Sequence, residues 1–464
     1  MAEQKRTFPD TIAIILGIMA VFVLLTWIVP AGTFERTEVD GRELIVPGSY
    51  QRVEAAPQGL FALLKAPIRG FVGAAQIIAF VFLVGGSFKI LTQTGSVDAG
   101  LQSIVRFTER KPQFKRFILP LVIVLFSLAG STFGMSEETL VFVLLTIPLA
   151  LALGYDSIVG VAISFVGAGL GFAGAFINPF TIGVAQGIAE LPPGSGMGYR
   201  ILVWLIVTAV GVAYIMRYAL RIERDPTRSP VYELDRVRHP EELQGGAKQD
   251  FTRRHVWVLL SLAAALALLV VGVSRWGWYI AEIAGLFIGL GIVAGLLGKL
   301  SLDEAIEAFK NGAAEMITAA LVIGLARGLI VLAEDGRIMD TLLHAVAQAS
   351  EGLPRTVTVV IMFLLQSSLN FFVPSGSGQA ALTMPIMAPL SDLLGISRQT
   401  AVLAYQFGDG ISNLIIPTSG VTMGVLAIAR IPYTIWLRWM LPFFLLLSVL
   451  AMLLLLPPVL LFRW

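Results

Sequence analysis

Long uncharged apolar runs decide what this chain can fold into. They occupy residues 11–30, 201–216, 256–273 and 441–462. Each is close to the ~20 residues that a helix needs to cross the ~30 Å hydrocarbon core of a membrane. Only 14% of the residues are charged, against about a quarter in soluble domains. The runs therefore predict an all-α polytopic membrane protein.

Composition and charge exclude several classes of function. The net charge of +2 is spread over the loops and leaves no basic face for a nucleic acid. Cysteine is absent, which excludes disulfides and thiolate chemistry, and the three histidines lie in or beside predicted loops without metal-ligand spacing. We therefore predict no nucleic-acid partner, no cofactor and no metal other than Na⁺ as a coupling ion, with H⁺ as the alternative coupling ion.

The charged loops predict how the chain crosses the membrane. With a cytoplasmic N-terminus that includes Lys5 and Arg6, most of the 33 Lys and Arg residues fall in inner loops, as the positive-inside rule requires. In this topology Lys89 and Arg327 are the basic residues that fall within helices. The topology predicts a multi-pass protein of the inner (plasma) membrane. The nine full crossings are placed at 11–30, 71–93, 158–190, 199–220, 256–273, 279–298, 313–333, 400–430 and 434–462.

An internal duplication relates the two halves of the chain. "LTQTGSVDAGL" resembles "LAEDGRIMDTL", and "IPLALALGYDS" resembles "APLSDLLGISR", with 241 residues between the members of each pair. The crossing at 256–273 has no counterpart in the first half, so it inverts the second half relative to the first. Inverted repeats are typical of secondary transporters that bind substrate at the repeat interface. We expect a first repeat over 1–220, a polar, helix-poor cytoplasmic linker over 221–255, an extra connecting helix over 256–278 and a second repeat over 279–464.

Each repeat contains a hydrophobic segment with a polar tip. The segments cover 117–153 and 356–394, and their arms of ~17 residues span only ~25 Å, which is short of a full crossing. We predict two re-entrant helical hairpins, with two ordinary helices joined by a polar surface turn as the alternative. At each tip a helix begins, and its unpaired N–H groups form an anion site. The candidate substrate-binding residues of the tips are Ser136, Glu137, Ser375, Ser377 and Gln379.

The helix after each hairpin contains a break. "GFAGAFINPFTIGVAQG" and "QFGDGISNLIIPTSGVTMG" place proline and glycine inside long apolar stretches. Proline removes a helical hydrogen bond and glycine lowers helix stability, so we predict an interrupted transmembrane helix in each repeat, with a simple proline kink as the alternative. Freed carbonyl groups and side-chain oxygens suit Na⁺ or a polar substrate. The candidates are Asn178, Asn413, Thr418 and Ser419 for substrate, and Thr181 and Asp409 for the coupling ion.

Ionisable residues predicted away from the membrane surface are functional candidates, because a charge in a bilayer is expensive. Glu137 and Glu138 lie ~100° apart around a helix, so we expect Glu137 in substrate binding and Glu138 in ion coupling. Arg327 is a candidate for the substrate carboxylate or for a structural ion pair. Lys89 is close enough to the inner boundary to extend its amine to the surface. The excess of acids, which includes Asp409, favours an amino acid, particularly a basic one, or a carboxylate carried with Na⁺ or H⁺.

Four segments resemble the YfcC family, namely "FGMSEETLVF", "INPFTIGVAQGIA", "NFFVPSGSGQAALTMPIMAPL" and "QFGDGISNLIIPTSG". That family belongs to the C4-dicarboxylate anaerobic carrier-like group of the ion transporter superfamily. The resemblance implies two inverted repeats, an elevator motion against a scaffold that forms a homodimer, and sites that include Ser136, Asn178, Ser375, Ser377, Thr418 and Ser419. Family members range from dicarboxylate carriers to arginine–ornithine exchangers. This chain lacks the Ser-Asn-Thr tips of the superfamily's dicarboxylate symporters.

These features predict a secondary active transporter of small carboxylate-bearing metabolites in a lipid bilayer. Amino acids, including basic ones of the arginine or ornithine type, fit best, moved with Na⁺ or H⁺ or by exchange. A C4-dicarboxylate or other organic-acid carrier of the same fold is the alternative. An ion channel would need a continuous polar stripe, and an intramembrane hydrolase would need a nucleophile beside a base. The polar residues are confined to paired breaks, which disfavours a channel. No His or Lys is positioned beside a serine, so we predict that the chain is not an enzyme.

Overall fold

The computed structural model is mostly helical. It describes residues 11–39, 42–46, 48–192, 194–243, 251–349, 353–461 and 464. Lys5 and Arg6, on which the predicted cytoplasmic N-terminus depends, lie outside the described residues, as does the segment 244–250 of the predicted linker.

Two short antiparallel ribbons, which the sequence did not indicate, follow the first helix. Helix α1 (Thr11–Ile28) leads into strands β1 (Gly32–Thr33), β2 (Arg36–Val39), β3 (Arg42–Ile45) and β4 (Gln51–Arg52). β1 pairs with β4, and β2 pairs with β3. The ribbons are fixed to a later helix, because the Asp340 carboxylate accepts hydrogen bonds from the Phe34 N–H and from the Arg36 guanidinium, each at 3.0 Å.

Two series of helices with the same order follow the ribbons. The first series contains α2 (Leu60–Gly73), α3 (Ala75–Gln93), α4 (Ser96–Arg110), α5 (Pro112–Phe133), α6 (Thr139–Ala152), α7 (Ser157–Val161), the π-helical segment Ala162–Val166, α8 (Gly167–Ala173), the π-helical segment Pro179–Gly183, α9 (Val184–Ile188) and α10 (Met197–Arg224). Between the series lie α11 (Tyr232–Leu243), α12 (Arg253–Trp276) and α13 (Ile280–Gly298). The second series contains α14 (Leu302–Glu315), α15 (Ile317–Asp335), α16 (Met339–Ala349), α17 (Arg355–Asn370), α18 (Gly376–Leu393), α19 (Arg398–Ser412), α20 (Gly420–Ile428) and α21 (Tyr433–Leu460).

Five helices of the described chain are long and apolar enough, by length and composition, to cross a membrane. They are α3, α10, α13, α15 and α21. Each overlaps a predicted crossing, and the predicted crossings 11–30 and 256–273 correspond to α1 and α12. The remaining two, 158–190 and 400–430, are interrupted as expected, between Ala173 and Pro179 and between Ser412 and Gly420.

Two predicted crossings and the linker differ from the structure. The crossings at 71–93 and 313–333 each cover parts of two helices, because the chain breaks at Ala74 between α2 and α3 and at Met316 between α14 and α15. The predicted helix-poor linker is also wrong, since α10 continues to Arg224 and α11 lies within it. The linker is held in place by hydrogen bonds from Ser229 Oγ to the Asp156 carboxylate (2.6 Å) and from the Ser157 N–H to Asp235 (2.8 Å).

The helices pack in two groups. In one group α2 packs on α15, and α3 packs on α13 and α14; in the other, α5 packs on α8, α17 on α19, and α19 on both α8 and α21. Small residues allow these approaches, as in membrane helix packing generally. A Cβ on Gly70 of α2 would overlap the backbone of Gly324 and Gly328 on α15, and a Cβ on Gly171 of α8 would overlap the Ser127 carbonyl oxygen on α5. The site lies where the two groups meet.

Candidate functional site

The polar tip of the first predicted hairpin turns tightly at a glycine. Helix α5 ends at Phe133, and Gly134 takes the left-handed conformation (φ 74°) that glycine adopts without strain. Helix α6 then begins at Thr139. The Glu138 carboxylate accepts a hydrogen bond from the Ser136 N–H (3.0 Å), so a side chain of this tip already supplies negative charge at the start of α6, where the helix dipole favours it.

The tip of the second predicted hairpin also begins a helix, but without a carboxylate. Helix α17 ends at Asn370, and α18 begins at Gly376 with Ser375 as its N-cap. Ser375 Oγ accepts a hydrogen bond from the Gly378 N–H (3.3 Å). The N–H groups of Gly376 and Ser377 belong to the first turn, which has no intrahelical acceptors. They remain available to a ligand.

The two helix breaks are built by capping side chains. Asn178 Oδ1 accepts from the Phe180 N–H (2.9 Å) at the start of Pro179–Gly183. Ser419 Oγ accepts from the Thr422 N–H (3.3 Å) at the start of α20. Asn and Ser are preferred N-cap residues because their side-chain oxygens satisfy a first-turn donor. Each break therefore starts a new helix inside the protein.

Both tips and both breaks meet at one cavity of about 280 Å³, here called the polar cavity. Arg327 from α15 and Tyr279 from the start of α13 also line it. Ten of the thirteen candidate residues lie on its wall: Ser136, Glu137, Glu138, Thr181, Arg327, Ser375, Ser377, Asn413, Thr418 and Ser419. The wall thus brings together residues nearly 300 positions apart in the sequence, from Ser136 to Ser419.

Three candidate residues lie outside the wall of the polar cavity. Asn178 is buried and caps its break, with its amide 3.4 Å from the Gly130 carbonyl oxygen. Gln379 points to the other arm of its hairpin, where its amide donates to the Gln366 carbonyl (2.8 Å) and side chain (2.7 Å). We expected Gln379 to contact the substrate. Its side chain instead lies on the buried face of α18 and packs between α17 and α18.

Asp409 lies behind the cavity wall and not on it. The residue is fully buried on α19, and its Oδ1 accepts a hydrogen bond from Asn413 Nδ2 (3.0 Å). Its Oδ2 has no hydrogen-bond partner among the described residues. That oxygen would lie 3.2 Å from a Cβ placed on Gly376, and the Thr181 side chain lies against the same point. Asp409, Thr181 and the start of α18 therefore form a second layer around Gly376.

The charged side chains of the cavity have weak partners. The Tyr279 hydroxyl lies 3.4 Å from Glu137 Oε1, and the Arg327 guanidinium lies 3.9 Å from the Glu334 carboxylate. Arg327 keeps 40% of its side-chain surface exposed. Its guanidinium can therefore stay near Glu334 and still bind a ligand. Lys89 takes no part, because it pairs with Glu315 on α14 at 2.6 Å.

Two polar residues were not predicted: Tyr279, which lines the polar cavity, and Arg200, which is buried elsewhere on α10. Tyr279 was placed at the start of the predicted crossing 279–298 without a role, and Arg200 was counted among the outer-loop bases. Arg200 is fully buried on α10, where its Nη2 donates to Gln399 Oε1 (3.1 Å) and its guanidinium lies 5.1 Å from the Trp464 ring. The signal for Arg200 was weak, since an arginine at the edge of an apolar run usually marks the membrane surface.

Apolar helices of membrane-crossing length that meet around a polar cavity are typical of multi-pass membrane transporters. Comparison with known proteins places the chain more closely: it belongs to the C4-dicarboxylate anaerobic carrier family, whose profile matches residues 8–459. It is 37% identical to the "Putative basic amino acid antiporter YfcC" of Escherichia coli (strain K12), over 94% of each chain. It is 30% identical, over 95% of each chain, to an uncharacterized protein of Haemophilus influenzae.

Two solved transporters are similar over nearly the whole chain at low identity. One is the YdaH transporter of Alcanivorax borkumensis, 19% identical over 96% of this chain and 98% of that one, with a TM-score of 0.41. The other is MtrF of Neisseria gonorrhoeae, described with a class of antimetabolite efflux pumps. It is 16% identical over 97% of this chain and 95% of that one, with a TM-score of 0.41.

Proposed function

We propose that this chain is a secondary active transporter of amino acids, with basic amino acids of the arginine or ornithine type as its best substrates. The observation that carries the proposal is the polar cavity, where two glutamates and one arginine face helix N-termini from both halves of the chain. A zwitterion with an added positive charge matches both the N–H donors and the excess of carboxylates. The name of the Escherichia coli relative, which refers to basic amino acids, supports the same substrate class.

The substrate carboxylate is assigned to the second half of the site. The starts of α18 and α20 both reach the cavity, through Gly376 and Ser377 in one case and Gly420 and Val421 in the other. First-turn N–H groups and the helix dipole attract an anion. The described carboxylates of the cavity wall are those of Glu137 and Glu138 at the start of α6, while that of Asp409 lies behind the wall beside Gly376, where a coupling ion would offset its charge. Arg327 adds a full positive charge to the wall.

The positive groups of the substrate are assigned to the first half of the site. The start of α6 carries its own carboxylates, so it repels a second anion. Glu138 is committed to the Ser136 N–H, which leaves Glu137 as the acid with the weaker partner. Glu137 therefore binds the cationic end of the substrate's side chain, the guanidinium of arginine or the terminal ammonium of ornithine, and the two halves orient the substrate in one direction.

Asp409 and Thr181 are proposed to hold the coupling ion. Both are buried, and Asp409 Oδ2 and Thr181 Oγ1 have no hydrogen-bond partner among the described residues. Oxygen ligands suit Na⁺, and a buried carboxylate suits H⁺. Because both residues contact the first turn of α18, an ion there would fix the backbone that binds the substrate carboxylate. Glu138 is a second candidate for coupling from the cavity wall.

The transport cycle is proposed to be an elevator motion between two inverted repeats. The matching helix order of the two series supports the repeats, with re-entrant hairpins formed by α5–α6 and α17–α18. The close packing of α2, α3 and α13–α15 on one another supports a scaffold, and that of α5, α8, α17 and α19 on one another supports a moving unit. We propose that the scaffold forms the interface of a homodimer. The chain would lie in an inner membrane with its N-terminus in the cytoplasm.

A C4-dicarboxylate carrier is the second candidate function. The description of the family favours it, and Arg327 with two helix starts could hold one carboxylate. The second carboxylate would then face Glu137 and Glu138, which is an unfavourable pairing of like charges.

A thermal-shift panel separates these candidates. The purified protein is heated with arginine, ornithine, alanine, succinate or lactate, each with and without Na⁺, because a ligand that binds the folded state raises its Tm. We expect arginine and ornithine to raise Tm most. A rise with succinate, and none with any amino acid, would instead support the dicarboxylate carrier.

A further inference from the structure

A groove lined by arginines lies at the end of α10, away from the polar cavity. It encloses about 630 Å³ and is here called the arginine groove. Its wall combines four arginines, one carboxylate and three apolar side chains: Arg217, Arg221, Arg224, Arg228, Asp225, Ala213, Met216 and Leu220. Four guanidinium groups against one carboxylate give the groove an excess of positive charge, so it suits an anion.

The length of α10 places this groove at the boundary of the membrane. The helix has 28 residues and is therefore ~42 Å long, about 12 Å more than the hydrocarbon core. Its uncharged run ends at Met216, and the first arginine follows immediately. When the ~30 Å from Met197 to Met216 spans the core, with Arg200 buried in the protein, Arg217, Arg221 and Arg224 lie at the depth of the lipid headgroups.

Three of the four arginines are available to a ligand. Arg228 is held by Asp225, with its Nε 3.1 Å from Oδ2. Among the described residues, Arg217, Arg221 and Arg224 make no ion pair and no side-chain hydrogen bond, and all three are exposed. At 100° per residue they fall within about 60° of one another, so their guanidinium groups can converge on one phosphate.

The groove continues an apolar face of the helix that is exposed along the bilayer. Leu202, Ala209 and Ala213 are all exposed, and at 100° per residue they share a sector of ~120° of α10 with the arginines. A ligand in the groove would therefore have its charged part against the arginines and an apolar part against this face. A free phosphate or an acidic peptide would leave the apolar face unused.

We propose that the arginine groove binds the phosphate headgroup of an anionic phospholipid, with an acyl chain along the exposed face of α10. Basic pockets at the ends of transmembrane helices recognise such headgroups, and each arginine near an anionic lipid contributes roughly fivefold to affinity. Bound lipid would fix the end of α10 and the turn that leads into the linker.

The test measures lipid retention by native mass spectrometry of the detergent-purified protein. The wild-type chain is titrated with phosphatidylglycerol, phosphatidylcholine or inorganic phosphate. We expect the protein to form adducts with phosphatidylglycerol but not with phosphatidylcholine or phosphate. Neither of these two probes should displace bound phosphatidylglycerol. The Arg217→Gln/Arg221→Gln/Arg224→Gln variant should bind phosphatidylglycerol roughly 100-fold more weakly.

A matched variant removes the same charge elsewhere. Arg253→Gln/Arg254→Gln/Lys299→Gln takes three exposed positive charges from other helix ends, and it should retain phosphatidylglycerol as the wild type does. Equal loss in both variants would overturn a specific groove, and so would equal binding of phosphatidylcholine. Displacement of phosphatidylglycerol by inorganic phosphate alone would also refute the lipid assignment. A dimer of the chain that is lost in the groove variant would refute it as well, because the groove would then bind a second copy.

Discussion

Glu137→Gln should weaken binding of a basic amino acid while sparing its neutral analogue. Arginine and citrulline have nearly the same shape, but citrulline lacks the side-chain charge. In the proposed orientation, only arginine places a cation next to Glu137. The variant keeps the size of the side chain and the contact with Tyr279, so a difference between the two ligands reports the charge alone.

The expected magnitude follows from the place of Glu137 on the cavity wall. A cation within about 4 Å of this carboxylate gains about 4 kcal/mol at an effective dielectric constant near 20. Desolvation of both groups offsets part of this, and hydrogen bonds to charged groups contribute about 1.5–3 kcal/mol net. A net loss of about 2 kcal/mol corresponds to about 30-fold weaker binding.

Isothermal titration of the purified protein with each ligand measures this loss. We expect Kd for arginine to rise about 30-fold and Kd for citrulline to change less than threefold. Glu307→Gln, which removes an exposed carboxylate on α14, should leave both values unchanged. Equal weakening of both ligands by Glu137→Gln would refute the charge pairing, and unchanged arginine binding would remove Glu137 from the site.

Three further predictions concern the ion, the tip and the packing. Asp409→Asn should abolish uptake driven by an ion gradient in proteoliposomes while ligand binding persists; gradient-driven uptake at the wild-type rate would exclude Asp409 from coupling. Ser377→Cys, in a chain without other cysteines, should react with a water-soluble maleimide and be protected by arginine, and labelling that arginine never slows would place the tip outside the site. Gly171→Ala should lower Tm by several degrees, because its methyl group would overlap the Ser127 carbonyl. Gly187→Ala, with open space around it, is the control, and equal Tm values would contradict the close contact of α5 and α8.

The tips and breaks could be predicted because their causes are local. Proline, glycine and capping side chains end and start helices within a few residues, as at Asn178 and Ser419. The constant offset of 241 residues then predicted that the second half repeats the tip and the break of the first. Together these signals located most of the cavity wall before any contact was known.

The positions that sequence reasoning missed depend on contacts between distant segments. Arg200 is buried by Gln399, which lies 199 residues further along the chain. Helix α11 is rich in charged residues, and a contact that holds it runs from Asp235 to the start of α7. Asp409 and Gln379 are close to the cavity, but the direction of each side chain depends on a neighbouring helix. The break at Met316 has no proline, and nothing in the structure explains it.

Exchange of amino acids across a membrane tests the central claim most directly. Proteoliposomes that contain the purified chain are loaded with unlabelled ornithine, arginine, succinate or buffer, and entry of labelled arginine is followed over time. We predict rapid entry into vesicles loaded with arginine or ornithine, and only slow entry into those loaded with succinate or buffer. Labelled succinate that exchanges with internal succinate, together with no arginine entry under any loading, would contradict the account.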